Sequence, residues 1–101
     1  MEYTELISRR ESLRNYDPDR PVPESVIRRI LDAGRIAPSA HNNQPWKFIL
    51  VSSPVLLEKV KMCYHREWIK DAPHILIVTG IRDEAWTREY DSYNSVETDT
   101  A

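Results

Sequence analysis

Residues 37–51 read Ala37-Pro38-Ser39-Ala40-His41-Asn42-Asn43-Gln44-Pro45-Trp46-Lys47-Phe48-Ile49-Leu50-Val51, and this stretch decides the fold. A helix cannot run into Pro38, because a proline pushes the residue before it out of the helical region. Between Pro38 and Pro45 lie only Ser, Ala, His, Asn and Gln, an irregular polar loop. Past Pro45, Trp46, Phe48 and Leu50 alternate with Lys47, Ile49 and Val51, the period of a strand. Both sets are largely apolar, so a strand covered on both faces is expected.

Upstream of the loop, Val26, Ile27, Ile30, Leu31 and Gly34 recur at helical spacing and form one apolar stripe. That helix starts at Pro23, which suits a first helical position, with Glu24 complementing the dipole. Arg28 and Arg29 lie mid-helix and face solvent. A shorter amphipathic helix is expected from about Glu2 to Arg10, carrying Tyr3, Leu6 and Ile7 on one face. Asn15 to Pro21, dense in Asn, Asp and Pro, is a turn-rich loop.

Downstream, Ser53-Pro54 opens a helix with serine as cap and proline at the first position. Val55, Leu56, Lys59, Val60 and Cys63 are its expected buried side. Asp71-Ala72-Pro73 leads into His74-Ile75-Leu76-Ile77-Val78-Thr79, a nearly continuous β-branched strand closed by Gly80 and expected to be central and twice covered. Helices between two such strands imply a layered α/β or α+β domain.

Residues 82–101 are polar. Trp86, Tyr90 and Tyr93 are spaced to share one face of a short helix, and Glu97 to Ala101 resembles the opening of another. Two doubly apolar strands do not make a sheet with protected edges. An incomplete domain is therefore expected, finished by further residues or by another chain.

At 101 residues the chain is one domain at most. A formal charge of −2 with no long Lys/Arg run argues against a nucleic-acid surface. One cysteine, Cys63, permits no intrachain disulfide; it reads as a small buried hydrophobe in a reducing compartment. The polar N-terminal fifteen residues do not look like a signal peptide, and no apolar run approaches the ~20 residues of a membrane helix, so a cytoplasmic protein is the expectation. One Cys and three His, at 41, 65 and 74, show no metal-ligand spacing.

Two constellations carry chemistry. In Arg10-Glu11-Ser12-Leu13-Arg14-Asn15-Tyr16, two arginines four apart with a serine between them can converge on one anion or planar acceptor. By spacing alone they read equally as surface arginines. In the 38–45 loop, Ser39, Asn42, Asn43 and Gln44 offer groups that both donate and accept, which suits the edge of a heterocycle. Caps and turns use the same residues.

Taken together, Arg10-x-Ser12-x-Arg14-x-Tyr16, the Val22-Pro23 helix entry and Ala37-Pro38-Ser39-x-x-Asn42-x-Gln44-Pro45-Trp46 resemble the FMN-dependent nitroreductase family. The match runs from about Leu6 to Gly80 and includes the Asp71-Ala72-Pro73 lead into a strand. The resemblance implies an α+β, three-layer α-β-α fold with a mixed, mainly antiparallel sheet. Residues 1–101 would be the N-terminal part of that domain, with the C-terminal remainder missing and the sheet incomplete.

It also implies a homodimer with FMN at the subunit interface, reduced by NAD(P)H and oxidised by a nitroaromatic, quinone or similar small acceptor. Arg10 corresponds to a ligand of the FMN phosphate, Ser12 of the ribityl chain and Arg14 of the pyrimidine edge. Glu11 stands where many relatives carry Arg, leaving a backbone contact there. Pro38, Ser39 and Ala40 would approach the ring from the partner subunit, bordered by Asn42 and Gln44. Arg14 is the candidate catalytic residue, since a fixed cation near N1 and O2 stabilises reduced flavin. His41 is a possible proton donor or a solvated loop histidine; His65 and Trp68 lie where relatives place further flavin contacts. The alternatives are a non-catalytic flavin-binding protein, an inactive fragment, or a deiodinase-like or flavin-destroying member.

Overall fold

The computed structural model describes residues 1–101 as six regular elements joined by 3₁₀ turns. In chain order these are helix α1 (Tyr3–Arg9), helix α2 (Glu24–Arg35), strand β1 (Trp46–Val51), helix α3 (Pro54–Lys61), strand β2 (Ile75–Gly80) and helix α4 (Val96–Thr100). The strands pair antiparallel, Trp46 opposite Gly80 and Val51 opposite Ile75. Residues directly opposite share a face, so Phe48 and Val78 lie on one side of the ribbon and Ile49 and Ile77 on the other.

Helix α2 lies against the Phe48 side. Gly34 allows the approach: a Cβ there would stand 3.0 Å from Phe48 Cζ. Helix α4 seats on the end of β2, where a Cβ at Gly80 would meet Val96 Cγ2 at 2.6 Å and Thr100 Oγ1 at 2.5 Å. The Gly80 contact depends on the missing side chain, whereas at Gly34 the neighbour is only the far end of the Phe48 ring.

The expectation of twice-covered strands is corrected. Ile49, Leu50, Leu76 and Val78 are each about two-fifths exposed, and both strands keep a free edge. Only seven residues are buried: Pro45, Val51, Leu57, Ala72, Ala85, Ser95 and Val96. The radius of gyration is 16.5 Å, against about 13 Å for a compact chain of this length. The accessible surface is 8464 Å², against roughly 6,000 Å² for a compact monomer of this mass. Apolar patterning created faces for which the chain has too few partners.

The same shortage explains other departures. Helix α1 forms as expected, but Tyr3, Leu6 and Ile7 remain exposed. Of the α2 stripe, Ile27, Leu31 and Gly34 are half-buried, whereas Val26 and Ile30 are exposed. In α3 the buried residue is Leu57; Val55, Leu56 and Lys59 are exposed, and only Val60 of the expected set is partly covered. Cys63 lies in the turn beyond α3 and is exposed, so it is no buried hydrophobe. Pro23 precedes the first turn of α2 rather than opening it.

The aromatic tail is not a helix. After a 3₁₀ turn (Arg82–Glu84), the chain folds into a tight hairpin bridged between Thr87 and Asn94. Arg88 holds it closed. Its Nε and Nη2 donate to the two Asp91 oxygens at 2.9 and 2.6 Å, and the guanidinium lies over the Tyr90 and Tyr93 rings. Asp91 is consequently held below the usual carboxylate range by that hydrogen bond, and Arg88 is raised by the same bond. Helix α4 follows at Val96, with Ser95 before it; Asn94 Oδ1 accepts the Val96 N–H. No helix is long and apolar enough to cross a membrane.

Candidate functional site

The 38–45 loop has a defined shape that its composition did not reveal. His41, Asn42 and Gln44 all lie in the left-handed region, with φ of 54°, 53° and 52°. Each such residue costs roughly 1–2 kcal/mol, least for Asn. Compensation comes partly from within. Ser39 Oγ accepts the Gln44 N–H at 3.0 Å, the Ser39 carbonyl accepts the Asn42 N–H at 2.9 Å, and Gln44 Nε2 donates to Asn42 Oδ1 at 3.3 Å. Pro45 is fully buried, and its carbonyl accepts the Ile81 N–H at 2.8 Å, fixing the loop's end to the ribbon.

Two further contacts come from far along the chain. Asp99 Oδ1 accepts the Ala40 N–H at 3.0 Å, and the His41 ring stacks on Trp86 with centroids 5.6 Å apart and planes 10° apart. Sequence reading missed both Asp99 and Trp86. It saw Asp99 only as acid in a helix's first turn and Trp86 only as part of an amphipathic face.

The loop therefore presents a definite chemistry. Gln44 Nε2 donates one hydrogen to Asn42, which leaves the Asn42 amide nitrogen free to donate and the Gln44 oxygen free to accept. Asn42 and Gln44 are exposed; Ser39 and Ala40 are half-buried.

The other constellation starts where α1 ends. Arg10 caps α1, its N–H bonded to the Leu6 carbonyl at 3.1 Å. Glu11, Ser12 and Arg14 follow outside any helix or strand, all exposed. The five ion pairs of the chain use Arg9, Arg28, Arg35, Lys70 and Arg88, so both guanidinium forks of Arg10 and Arg14 stay uncommitted. Tyr16 anchors the segment: its hydroxyl donates to the Leu13 carbonyl at 3.0 Å, and its ring packs near Trp68 at 5.8 Å.

No hydrogen bond, ring contact or ion pair joins residues 10–14 to residues 38–44. The two halves of the expected site are not joined by any such contact within one chain. A cleft of about 770 Å³ is lined by neither; Lys61, Tyr64, His65, Lys70 and His74 are among its walls. In a chain with so few buried residues such clefts mark uncovered faces, and cleft size is a poor guide to the chemistry. Trp68 belongs to an aromatic cluster with Tyr16 and Tyr64. No group of three or more His, Cys, Asp or Glu side chains is placed to hold a metal ion.

Comparison with known proteins identifies the family. The model of the Nitroreductase family matches residues 7–63, which includes both constellations. A Methanothermobacter thermautotrophicus protein carrying a provisional NADH dehydrogenase/NAD(P)H nitroreductase name is 43% identical over 79 residues, 77% of this chain and 41% of that protein. A nitroreductase family protein of Clostridium difficile superposes with a TM-score of 0.84 at 34% identity, over 99% of this chain and 56% of its own. A nitroreductase-type structure from Exiguobacterium sibiricum, solved in complex with FMN, has the same fold with a TM-score of 0.73 at 23% identity. The chain spans between about a quarter and two-fifths of the length of the curated relatives it matches. With the family model matching more than half of its residues and the fold superposing on that of a family member, the chain belongs to the nitroreductase family.

Proposed function

We propose that residues 1–101 form the N-terminal part of a nitroreductase-type domain that binds FMN and passes electrons from NAD(P)H to a nitroaromatic, quinone or similar small acceptor. The observation that carries this reading is the pair of uncommitted guanidinium forks, Arg10 and Arg14, four residues apart beside Ser12. A phosphate and a pyrimidine edge are both bidentate acceptors suited to such forks. The donor set thus fits FMN. When bound, the flavin supplies the hydride chemistry.

In this reading Arg10 holds the phosphate, the Ser12 hydroxyl and the Glu11 backbone take the chain between, and Arg14 faces the pyrimidine edge. There its fixed charge favours electron density arriving on the ring, which makes it the candidate catalytic residue. Pro38, Ser39, Ala40, Asn42 and Gln44 border the ring from a second copy of the chain. That no bond or ring contact joins the two constellations within one chain supports a homodimer with the flavin between subunits. A reducing, cytoplasmic setting suits a chain whose one cysteine is exposed and free.

A second reading has its own support. The open ribbon and the small buried core favour a chain that holds flavin without turnover, or that lacks a complete site. Visible absorbance of the purified chain mixed with FMN and desalted, with its mass from light scattering, tests both. A yellow dimer bleached by NAD(P)H supports the reductase. A yellow species that NAD(P)H leaves unbleached supports the binding protein, and a colourless one defeats the flavin site in this chain.

A further inference from the structure

We propose that Asp99 is the positioning residue that sets the shape of the 39–44 loop, and through it the affinity for flavin; the second clause rests on the function proposed above. The loop carries three left-handed residues; bonds among Ser39, Ala40, Asn42, Asn43 and Gln44 hold its interior and Pro45 and Trp46 hold its far end, but none of these takes the Ala40 N–H. Its first turn needs an outside acceptor for the Ala40 N–H, and Asp99 Oδ1 supplies it at 3.0 Å in a partly buried setting. A carboxylate is the stronger kind of acceptor for such a bond.

Asp99 is itself aimed. Its other oxygen accepts the Ser95 hydroxyl at 2.6 Å, and its N–H bonds the Ser95 carbonyl at 2.9 Å. Ser95 is 4% exposed and its N–H bonds the Trp86 carbonyl at 2.9 Å. Trp86 in turn stacks on His41. Loop, Asp99, Ser95, Trp86 and His41 thus form one closed ring of contacts. Helix α4, seated on Gly80, fixes that ring to the ribbon. Asp99 touches no reacting group; it acts through Ala40.

The test uses the 101-residue chain, ¹⁵N-labelled, with FMN as the probe. Asp99→Ala should shift the Ala40 amide resonance upfield, speed its hydrogen exchange and weaken FMN binding about tenfold or more. Asp99→Asn keeps an acceptor oxygen and should return the amide and the affinity to within a few-fold of wild type. Thr100→Val, altered in the same helix away from the loop, should leave the Ala40 amide in place. An Ala40 amide unchanged in Asp99→Ala overturns the proposal, as does an Asn variant no better than Ala. Should Asp99→Ala fail to fold, the Asn variant and the exchange rate of Ala40 decide alone. Wild-type chain that does not bind FMN defeats the flavin reading, and the Ala40 amide then decides whether Asp99 shapes the loop.

Discussion

His74 Nε2 accepts the backbone N–H of Val22 at 3.0 Å, while its Nδ1 lies 2.7 Å from Ser52 Oγ. An Nε2 that accepts must be unprotonated, so the ring carries its proton on Nδ1 and donates it to Ser52. One side chain at the start of β2 thereby ties the entry of α2 to the end of β1. His74→Phe keeps the ring and removes both bonds. Water can reach the exposed Val22 amide, so the loss should be modest, about 1 kcal/mol in a urea titration. Exchange at the Val22 amide should rise with it; an unchanged rate there would show that His74 does not hold the segment.

Gly80→Ala tests the seat of α4. The new methyl would overlap Val96 and Thr100, and one of those two must move. Because α4 is short and held largely by this contact, about 1–3 kcal/mol of stability should be lost. The Asp99 and Ala40 amides should shift together. A variant as stable as the parent would mean that α4 does not rest on Gly80.

Gly34→Ala should act in the opposite direction. Alanine gains roughly 0.5–1 kcal/mol over glycine inside a helix, and the Cβ would press on Phe48 Cζ at 3.0 Å. Phe48 borders an open cleft with Trp46 and Ile36, so its ring has room to yield. A slightly raised Tm is expected from calorimetry. A fall of several degrees would show the ring to be fixed.

Arg14→Ala should weaken FMN binding about tenfold or more, since a charge-assisted fork is lost. Arg14→Lys should recover only part, because an ammonium cannot make the paired contact. Fluorescence titration of FMN reads both, and equal affinity across the three chains would remove Arg14 from its assigned role.

Acid should open the 87–94 hairpin before the rest of the ribbon. Asp91 is lowered by its bond to Arg88, so its contribution is present above the ordinary carboxylate pKa. That contribution fades as pH falls through the lowered value. Below about pH 4 the Tyr93 amide, which donates to Asp91 Oδ1 at 3.2 Å, should begin to shift. Asp91→Asn should remove that titration and leave the Ile77 amide unaffected.

Periodicity and proline placement made much of the fold legible. β1 occupies the six residues whose alternation marked it, and β2 is displaced by one residue from its β-branched run. Those signals are local and survive without partners. Burial is not local. Val55, Leu56 and Cys63 belong to an apolar pattern, yet each is exposed because nothing in the chain lies opposite. In the candidate site, Arg10, Ser12, Arg14 and the 38–45 loop could be named from their motifs. Asp99 could not, because its partner is 59 residues away and only the seating of α4 on Gly80 brings them together. Trp86 and Tyr93 gave a helical spacing by coincidence. Asp91 and Ser92, the latter at φ 60°, turn the chain back on itself instead.

The bond between Ala40 and Asp99 also sets an order of events during synthesis. A ribosome adding about 5–20 residues per second needs roughly 3–12 s to travel the 59 residues that separate them. For those seconds residue 40 has been made and residue 99 has not, so the Ala40 N–H has no far acceptor and the loop relies on its nearer bonds. The nascent chain therefore passes through a stage in which both strands of the ribbon have been made and the loop before β1 still lacks its far anchor, and a pause before residue 99 would prolong it.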